Sequence, residues 1–229
     1  FDVRTPEKVR ESPHRPMSLN TGFRMFSAHI SQNYPAIRPA IVAVGSDDAD
    51  RGTGFFINDD GYALTSASVV QGARNVQLTD ATGAKHRARV IRINLTRDVA
   101  LIKADISDNR FMPVVLDAWK GAGETIYAVG TPKTTNYKPT LTKGTVSHTR
   151  YNVATGYTFI QADIHTLPEF NGGPLMDEAG NVIGIATGNA AERGEGAFNR
   201  FVPLDEALDS LNLTLIKTTR SQRRQAAPQ

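Results

Sequence analysis

The side chains able to do chemistry in this chain are few, and their types exclude several chemistries at once. There is no cysteine, which rules out disulfides, thiolate metal sites and cysteine nucleophiles. The five histidines are His14, His29, His86, His148 and His165, and no two of them stand at the i, i+2 or i, i+4 spacing of a local metal site. His165 with Glu169 or Asp163 is the remaining metal candidate, with His148 a remoter one. Imidazole plus carboxylate would suit a divalent transition metal as cofactor. The run Phe170-Asn171-Gly172-Gly173-Pro174-Leu175 presents one polar side chain on a glycine turn. An amide cannot serve as an acyl-transfer nucleophile, and the hydroxyl of Ser68 cannot act as a base near neutral pH.

Positioning these residues falls to short β-type runs. Ala40–Val44, Gly54–Ile57, Tyr62–Thr65, Asn75–Leu78, Ala88–Ile93, Val99–Lys103 and Thr125–Val129 make one set. Thr140–Val146, Tyr157–Gln161, Val182–Ala186 and Arg200–Val202 make a second. Asp59-Asp60-Gly61 and Ala179-Gly180-Asn181 supply residues that tolerate positive φ, as hairpin loops require. Many short strands at this spacing predict an all-β sandwich or barrel. One helix is predicted over Pro203–Leu211, with Asp205 and Glu206 in its first turn. Residues 17–34 read as a short amphipathic helix with Met17, Phe23, Met25, Phe26 and Ile30 on its apolar side. Residues 1–16 read as a loosely docked arm, and the pattern is lost after Lys217.

The chain's 229 residues suit one large domain, or two subdomains around a shared cleft. No apolar run approaches the roughly 20 residues that span a bilayer. A start at Phe1 without a signal-peptide core suggests a mature or trimmed fragment. The absence of cysteine leaves the compartment open. The isoelectric point is near 9.2, but the basicity is concentrated at the ends: residues 1–24 carry +2 and residues 217–229 carry +4, leaving −3 on the rest. Arg220, Arg223 and Arg224 read as a solvated tail, or as a contact for an anionic membrane surface. No basic patch interleaved with aromatics points to a nucleic-acid partner.

Four segments in order resemble the HtrA/DegP branch of trypsin-like serine peptidases. Gly52-Thr53-Gly54-Phe55-Phe56-Ile57 with Asp60-Gly61-Tyr62-Ala63-Leu64-Thr65 is similar to the opening of that family's first barrel. Leu64-Thr65-Ser66-Ala67-Ser68-Val69-Val70 resembles its Leu-Thr-x-x-His-Val-Val. Arg97-Asp98-Val99-Ala100-Leu101-Ile102-Lys103 resembles the segment with the triad aspartate. Gln161-Ala162-Asp163 followed by Pro168–Leu175 resembles the nucleophile loop, and Gly180–Ile185 and Phe201-Val202-Pro203 fit the closing strands. The resemblance spans roughly residues 36–212. It implies an all-β fold of two six-stranded Greek-key barrels of the trypsin type, with short helices at the two ends. The implied divisions are an arm and helix over 1–35, a first barrel over 36–118, a second barrel with the C-terminal helix over 119–216, and a basic disordered tail over 217–229.

The same resemblance places Asp98 at the triad aspartate, Ser68 at the histidine, Asn171 at the serine and Glu169 at the oxyanion-hole glycine. The expectation is a chain that is not an enzyme: a pseudoprotease serving as a binding or scaffolding module, with Asp98 a buried carboxylate satisfied by Ser68 and local N–H groups. A protease cleft binds extended peptides by strand addition, so Ile185, Ala186, Thr187 and Gly188 are the expected peptide contacts. His165 joins them at the base or wall of the specificity pocket. The implied partners are a peptide or protein segment in the old cleft and an active HtrA relative, with a periplasmic location and a membrane tether outside this fragment. Glu169-Phe170-Asn171-Gly172-Gly173-Pro174-Leu175 also resembles the Glu-x-Thr-Gly-Gly-Pro-Leu loop of MamO-like, magnetosome-associated relatives. That narrower resemblance implies a magnetosome lumen, iron biomineralisation and transition-metal binding. Those relatives keep histidines where this chain has Ser68 and Arg97, so a metal site has to be argued afresh, with His165 and then His148 as its ligands.

Overall fold

Adjacent aromatic residues with opposite destinations organise the first half of the chain. Successive side chains of a strand point to opposite faces, so Phe56 enters the interior of one barrel while Phe55 faces the second; both are buried. The computed structural model describes residues 15–22, 26–46, 49–116, 121–133, 138–153, 156–187 and 199–218. The first barrel closes in the order β2-β3-β4-β7-β6-β5, from β2 (Ile41–Ser46), β3 (Ala49–Phe56), β4 (Tyr62–Thr65), β5 (Asn75–Asp80), β6 (Lys85–Asn94) and β7 (Val99–Ala104). The second closes as β10-β13-β12-β11-β8-β9, from β8 (Thr125–Gly130), β9 (Thr140–Asn152), β10 (Tyr157–Ile164), β11 (Pro174–Met176), β12 (Val182–Ala186) and β13 (Asn199–Pro203). The expected all-β pair of six-stranded barrels is therefore present.

Each barrel has its own interior. Val42, Val44, Phe56, Leu78 and Ile102 fill the first, and Ile126, Ile160, Phe170, Leu175 and Phe201 the second. A third cluster runs between them, joining Phe55, Leu64 and Leu101 to Tyr127, Val129, Met176 and Ile185. Burial of these apolar faces fixes how the barrels sit against each other, and a cleft at their seam follows.

The ends of the chain differ from the sequence reading. Residues 17–34 do not form one helix. Met17–Gly22 is a strand, β1, parallel to β14 (Leu213–Thr218), and the helix α1 spans Ile30–Ile37. The reason is the period: Leu19 and Thr21 are buried and Ser18 and Asn20 are not, which is strand alternation. Arg92 of β6 fastens this pair, donating to the carbonyls of Leu211 (2.6 Å) and Asn212 (2.9 Å) and to that of Arg15. The helix α1 docks on the β11–β12 turn, where Ile30 N–H donates to Glu178 O (2.7 Å) and Asn33 Nδ2 to Ala179 O (2.8 Å). The C-terminal helix α3 covers Leu204–Ser210, with Pro203 at its N-cap rather than inside it. The strand β14 also carries regular structure one residue past Lys217. The remaining residues of the basic tail, including Arg220, Arg223 and Arg224, lie outside the described residues, as do residues 1–14 of the arm.

A second arginine crosses the seam. Arg97, in the β6–β7 turn of the first barrel, donates to Thr158 O and to the Glu206 carboxylate of α3, and lies 4.7 Å over the Tyr157 ring. Glu206 also accepts from Thr158 N–H at 3.1 Å. Burial pulls the Arg97 pKa below its ordinary value, and Glu206 opposes that pull.

The turn joining β5 to β6 gives a pH prediction. Burial pushes the Asp80 carboxyl up, but hydrogen bonds from His86, from the Thr82 hydroxyl and N–H, and from Ala84 N–H outweigh it and hold the pKa at about 2. That lies below the ~3.9 of an unfolded aspartate, so its contribution is present above about pH 4 and is lost as pH falls towards 2. Asp80→Asn should lower stability at pH 7 by no more than about 1 kcal/mol, because the site is partly exposed. The difference from wild type should close near pH 2 in urea unfolding curves; a gap constant across that range would contradict the assignment.

Candidate functional site

The site begins with a carboxylate in a strained place. Asp98 ends the β6–β7 turn with φ +58° and is nearly buried. A buried carboxylate is costly unless hydrogen-bonded, and Asp98 is well supplied. Its Oδ1 accepts from Ser66 Oγ at 2.6 Å and from Ser68 N–H at 2.8 Å, and Ser68 Oγ lies 3.4 Å from Oδ2. Ser66 is the N-cap of the short helix α2 (Ala67–Val70), a position that hydroxyl side chains favour. The sequence reading anticipated Ser68 as a partner of Asp98. Ser66, the fully buried and closer partner, lay outside that expectation, although Ser-x-x ahead of the apolar pair Val69–Val70 is an N-cap signal.

Proton counting orders this cluster. Each hydroxyl has one proton. Ser66 gives its own to Asp98, so the 2.7 Å contact between Ser66 Oγ and Ser68 Oγ must use the proton of Ser68. Asn171 Nδ2 donates to Ser68 Oγ at 2.9 Å. The result is a one-way chain from Asn171 through Ser68 and Ser66 to the carboxylate. Ser68 is exposed and Ser66 is not, so the reachable hydroxyl is that of Ser68. Among the described residues Asn171 Oδ1 is buried without a donor, an acceptor left open at the head of the chain.

The loop that presents Asn171 is fixed by its own backbone and by β3. Pro168–Phe170 forms a 3₁₀ turn, and Glu169 lies in it, half-buried, rather than at a position of positive φ. Asn171 N–H donates to Pro168 O (3.1 Å), Gly172 N–H to Ala186 O (2.8 Å) and Gly173 N–H to Phe170 O (2.8 Å). A carbonyl oxygen seeking the Asn171 N–H must displace Pro168 O. Thr53 of β3 grips the loop from the other barrel: its N–H donates to Asn171 O (2.8 Å) and its hydroxyl to Glu169 O (2.6 Å). Thr131 N–H donates in turn to the Thr53 hydroxyl at 3.0 Å. Thr53 stood in the quoted Gly-Thr-Gly motif, but this role was not legible there.

Of the other expected residues, Ile185 and Ala186 are buried in β12, which pairs with β11 and β13 on its two flanks. Ala186 N–H and C=O are bonded to Gly173 and Gly172, so these two residues offer no free edge to a peptide. Thr187 does line a pocket beside Asn171, together with Thr166, Leu167, Phe170, Asn199 and Phe201. Gly188 lies outside the described residues. His165 is exposed at the end of β10 and is not among the pocket-lining residues; its neighbours Thr166 and Leu167 are. His148 is exposed on β9 opposite Gln161. Among the described residues no three histidine, aspartate or glutamate side chains converge as metal ligands.

A model of the trypsin-like peptidase domain matches residues 52–185, more than half of the chain. The chain belongs to that family. It is 31% identical over 186 residues to a probable periplasmic DegP-like serine endoprotease of Pseudomonas savastanoi, covering 78% of this chain and 38% of that protein. A probable DegP-like endoprotease of Chlamydia muridarum is 32% identical over 154 residues, 66% of this chain and 30% of that one. Protease Do-like 1 of Arabidopsis thaliana, named as chloroplastic, is 27% identical over 217 residues, 90% of this chain and 48% of that one. The chain thus spans less than half the length of these relatives. Among solved structures, a serine endoprotease from Yersinia pestis is 26% identical with a TM-score of 0.66, covering 80% of this chain and 65% of that one. The HtrA-type protease AlgW, solved with a tripeptide, is 25% identical with a TM-score of 0.67 and coverages of 80% and 62%. The HtrA branch is thereby supported. The expectation that the chain is not an enzyme is corrected by the same finding, because the proteins sharing its sequence and fold are named as serine endoproteases.

Gly172 tests the geometry of this loop. Its φ is +84°, and a Cβ there would come within 2.3 Å of Thr53 O and Thr65 Oγ1 and 2.6 Å of Ser66 N. Backbone strain and overpacking together should make Gly172→Ala about 3 kcal/mol less stable, a fall of roughly 6–12 °C in Tm. A fall below about 2 °C in scanning calorimetry would mean the loop is not so confined.

Proposed function

We propose that this chain is the peptidase-type domain of an HtrA relative, taking an extended polypeptide segment at the seam between its barrels. The observation that carries the reading is that Asn171 both lines the pocket with Leu167, Phe170 and Thr187 and donates into the Ser68–Ser66–Asp98 chain. The pocket as it stands has room for about one water-sized group, so a bound segment would lie across its mouth with its backbone near Ser68. The family match and the named relatives support a polypeptide as the class of ligand.

Chemistry at this cluster would run through Ser68, the exposed hydroxyl, with Asp98 as the carboxylate behind it. A serine hydroxyl needs a base to become a nucleophile. The Ser68 proton would pass to Ser66 (2.7 Å) as the Ser66 proton passes to Asp98 (2.6 Å). The direct Ser68–Asp98 contact is the longer, at 3.4 Å. Loss of one member of a full triad slows reaction on the order of 10⁴-fold. Cleavage here is therefore slow beside an imidazole-driven triad, while recognition does not depend on its rate. The narrower likeness to magnetosome-associated relatives rests on the loop Glu169–Leu175 and on the helix-like lead-in before Pro39-Ala40-Ile41-Val42.

The test uses unstructured casein and a library of fluorescent peptides with the intact chain. Thr187→Trp, which blocks the mouth of the pocket, should weaken peptide binding at least about tenfold in fluorescence anisotropy, a change of ~1.4 kcal/mol. Ser68→Ala should leave that binding within about threefold and lower casein turnover at least about tenfold. Unchanged affinity in Thr187→Trp would sink the reading, as would turnover indifferent to Ser68.

A further inference from the structure

The outer face of the first barrel carries a charge pattern that neither the core nor the peptide cleft uses. On β6 the exposed residues alternate with inward ones, so Lys85, Arg87 and Arg89 stand in one row while Ala88 is buried. Lys103 of β7 sits directly opposite Arg89 in the register, and like charges facing each other across a ladder destabilise a sheet. Lys103 turns aside, donating to Ala104 O at 2.7 Å with its ammonium 5.6 Å from the Tyr62 ring. Among the described residues the ion pairs are His86–Asp80 and Arg97–Glu206, and neither neutralises the row. Asp105 lies at its margin, its N–H bonded to Arg87 O. The Asp80 carboxylate is occupied by His86 and the Thr82–Ala84 turn.

From this row we infer that the outer face of β6 and β7 docks on an anionic lipid surface. A repulsive cross-strand pair and an unneutralised row are a cost to the isolated fold that an opposing anionic layer removes. The occupant follows from what the face lacks. The strand β6 is paired on both sides, with β5 and β7, so no edge is open for a peptide to add as a strand. Beside the row, exposed Asn75, half-buried Gln77 and buried Thr79 of β5 stand in register with Arg89, Arg87 and Lys85. Among the described residues the aromatic side chain on this face is Tyr62, half-buried under the Lys103 ammonium and packed on the core, so it does not stand out as the exposed anchor that protein interfaces need at their centre. A charged headgroup layer needs neither an edge nor an anchor, and each lysine or arginine held near it contributes about fivefold in binding. This face is separate from the pocket at Asn171, so the inference stands independently of the proposed function.

The test is co-sedimentation of the intact chain with phosphatidylcholine vesicles containing about one third phosphatidylglycerol. Wild type should bind at ~0.05 M salt and be released at ~0.5 M, where the screening length shrinks to a few ångströms. Arg87→Glu with Arg89→Glu should reduce binding at least about tenfold. The milder pair Lys85→Gln with Arg87→Gln, which introduces no new charge, should reduce it several-fold with Tm unchanged. Arg223→Gln with Arg224→Gln in the tail should leave most of the binding in place. The inference is overturned if the charge reversal binds as wild type does, or if only the tail variant loses binding. It is overturned equally if polyglutamate displaces the chain as effectively as vesicles of matched charge, since the partner would then be an acidic polypeptide.

Discussion

The constraint on which the site depends is a carboxylate that must be hydrogen-bonded where it lies. Asp98 sits nearly buried in a left-handed backbone conformation, and an unsolvated charge there would cost several kcal/mol. Meeting its demand fixes the N-cap of α2 through Ser66, then Ser68, and then Asn171 of the other barrel. A local electrostatic requirement in one turn thereby becomes an arrangement of two barrels. Arg97, the residue before Asp98, pins the same turn to the second barrel through Glu206 and Thr158. The turn carrying the carboxylate is held from both ends.

The seam is maintained by different forces at different depths. Phe55, Leu101, Val129 and Ile185 belong to one continuous apolar layer between the barrels, which sets their distance without fixing their register. Register comes from directional bonds: Thr53 to the carbonyl of Glu169 and to Thr131 on the site side, and Arg97 to Glu206 on the far side. The glycines complete the arrangement. Gly52 and Gly172 stand where any Cβ would meet the backbone of the opposing barrel. The loop and β3 can approach closely only because those positions are bare.

Short-range features of this structure were legible in the sequence, and long-range ones were not. The limits of β4 and β12 followed from apolar runs bounded by turn residues. The pairing of Asp98 with Ser68 followed from residue chemistry placed by resemblance. The β1–β14 ribbon joins residues about two hundred positions apart. Apolar Met17, Phe26 and Ile30 near its start imitated a helical face, which hid the alternation of Leu19 and Thr21. The strand β11 is three residues long inside a glycine-rich turn, too short to show any period. Strand addition at Ile185 and Ala186 needs an open edge, and a sequence shows that a strand exists but not that it has a neighbour on each flank. Ser66 was overlooked for the opposite reason. Its N-cap role was visible locally, but its bond to Asp98 spans 32 residues.

The central claim is that Asn171 of the second barrel and the Asp98 carboxylate of the first form one hydrogen-bonded unit through Ser68 and Ser66. A double-mutant cycle on unfolding free energy with Ser66→Ala and Asn171→Ala tests it most directly, because these two side chains do not bond to each other. The unit predicts a coupling of at least about 0.5 kcal/mol between them. Additivity within about 0.3 kcal/mol would contradict it, leaving two unrelated polar contacts on either side of a seam.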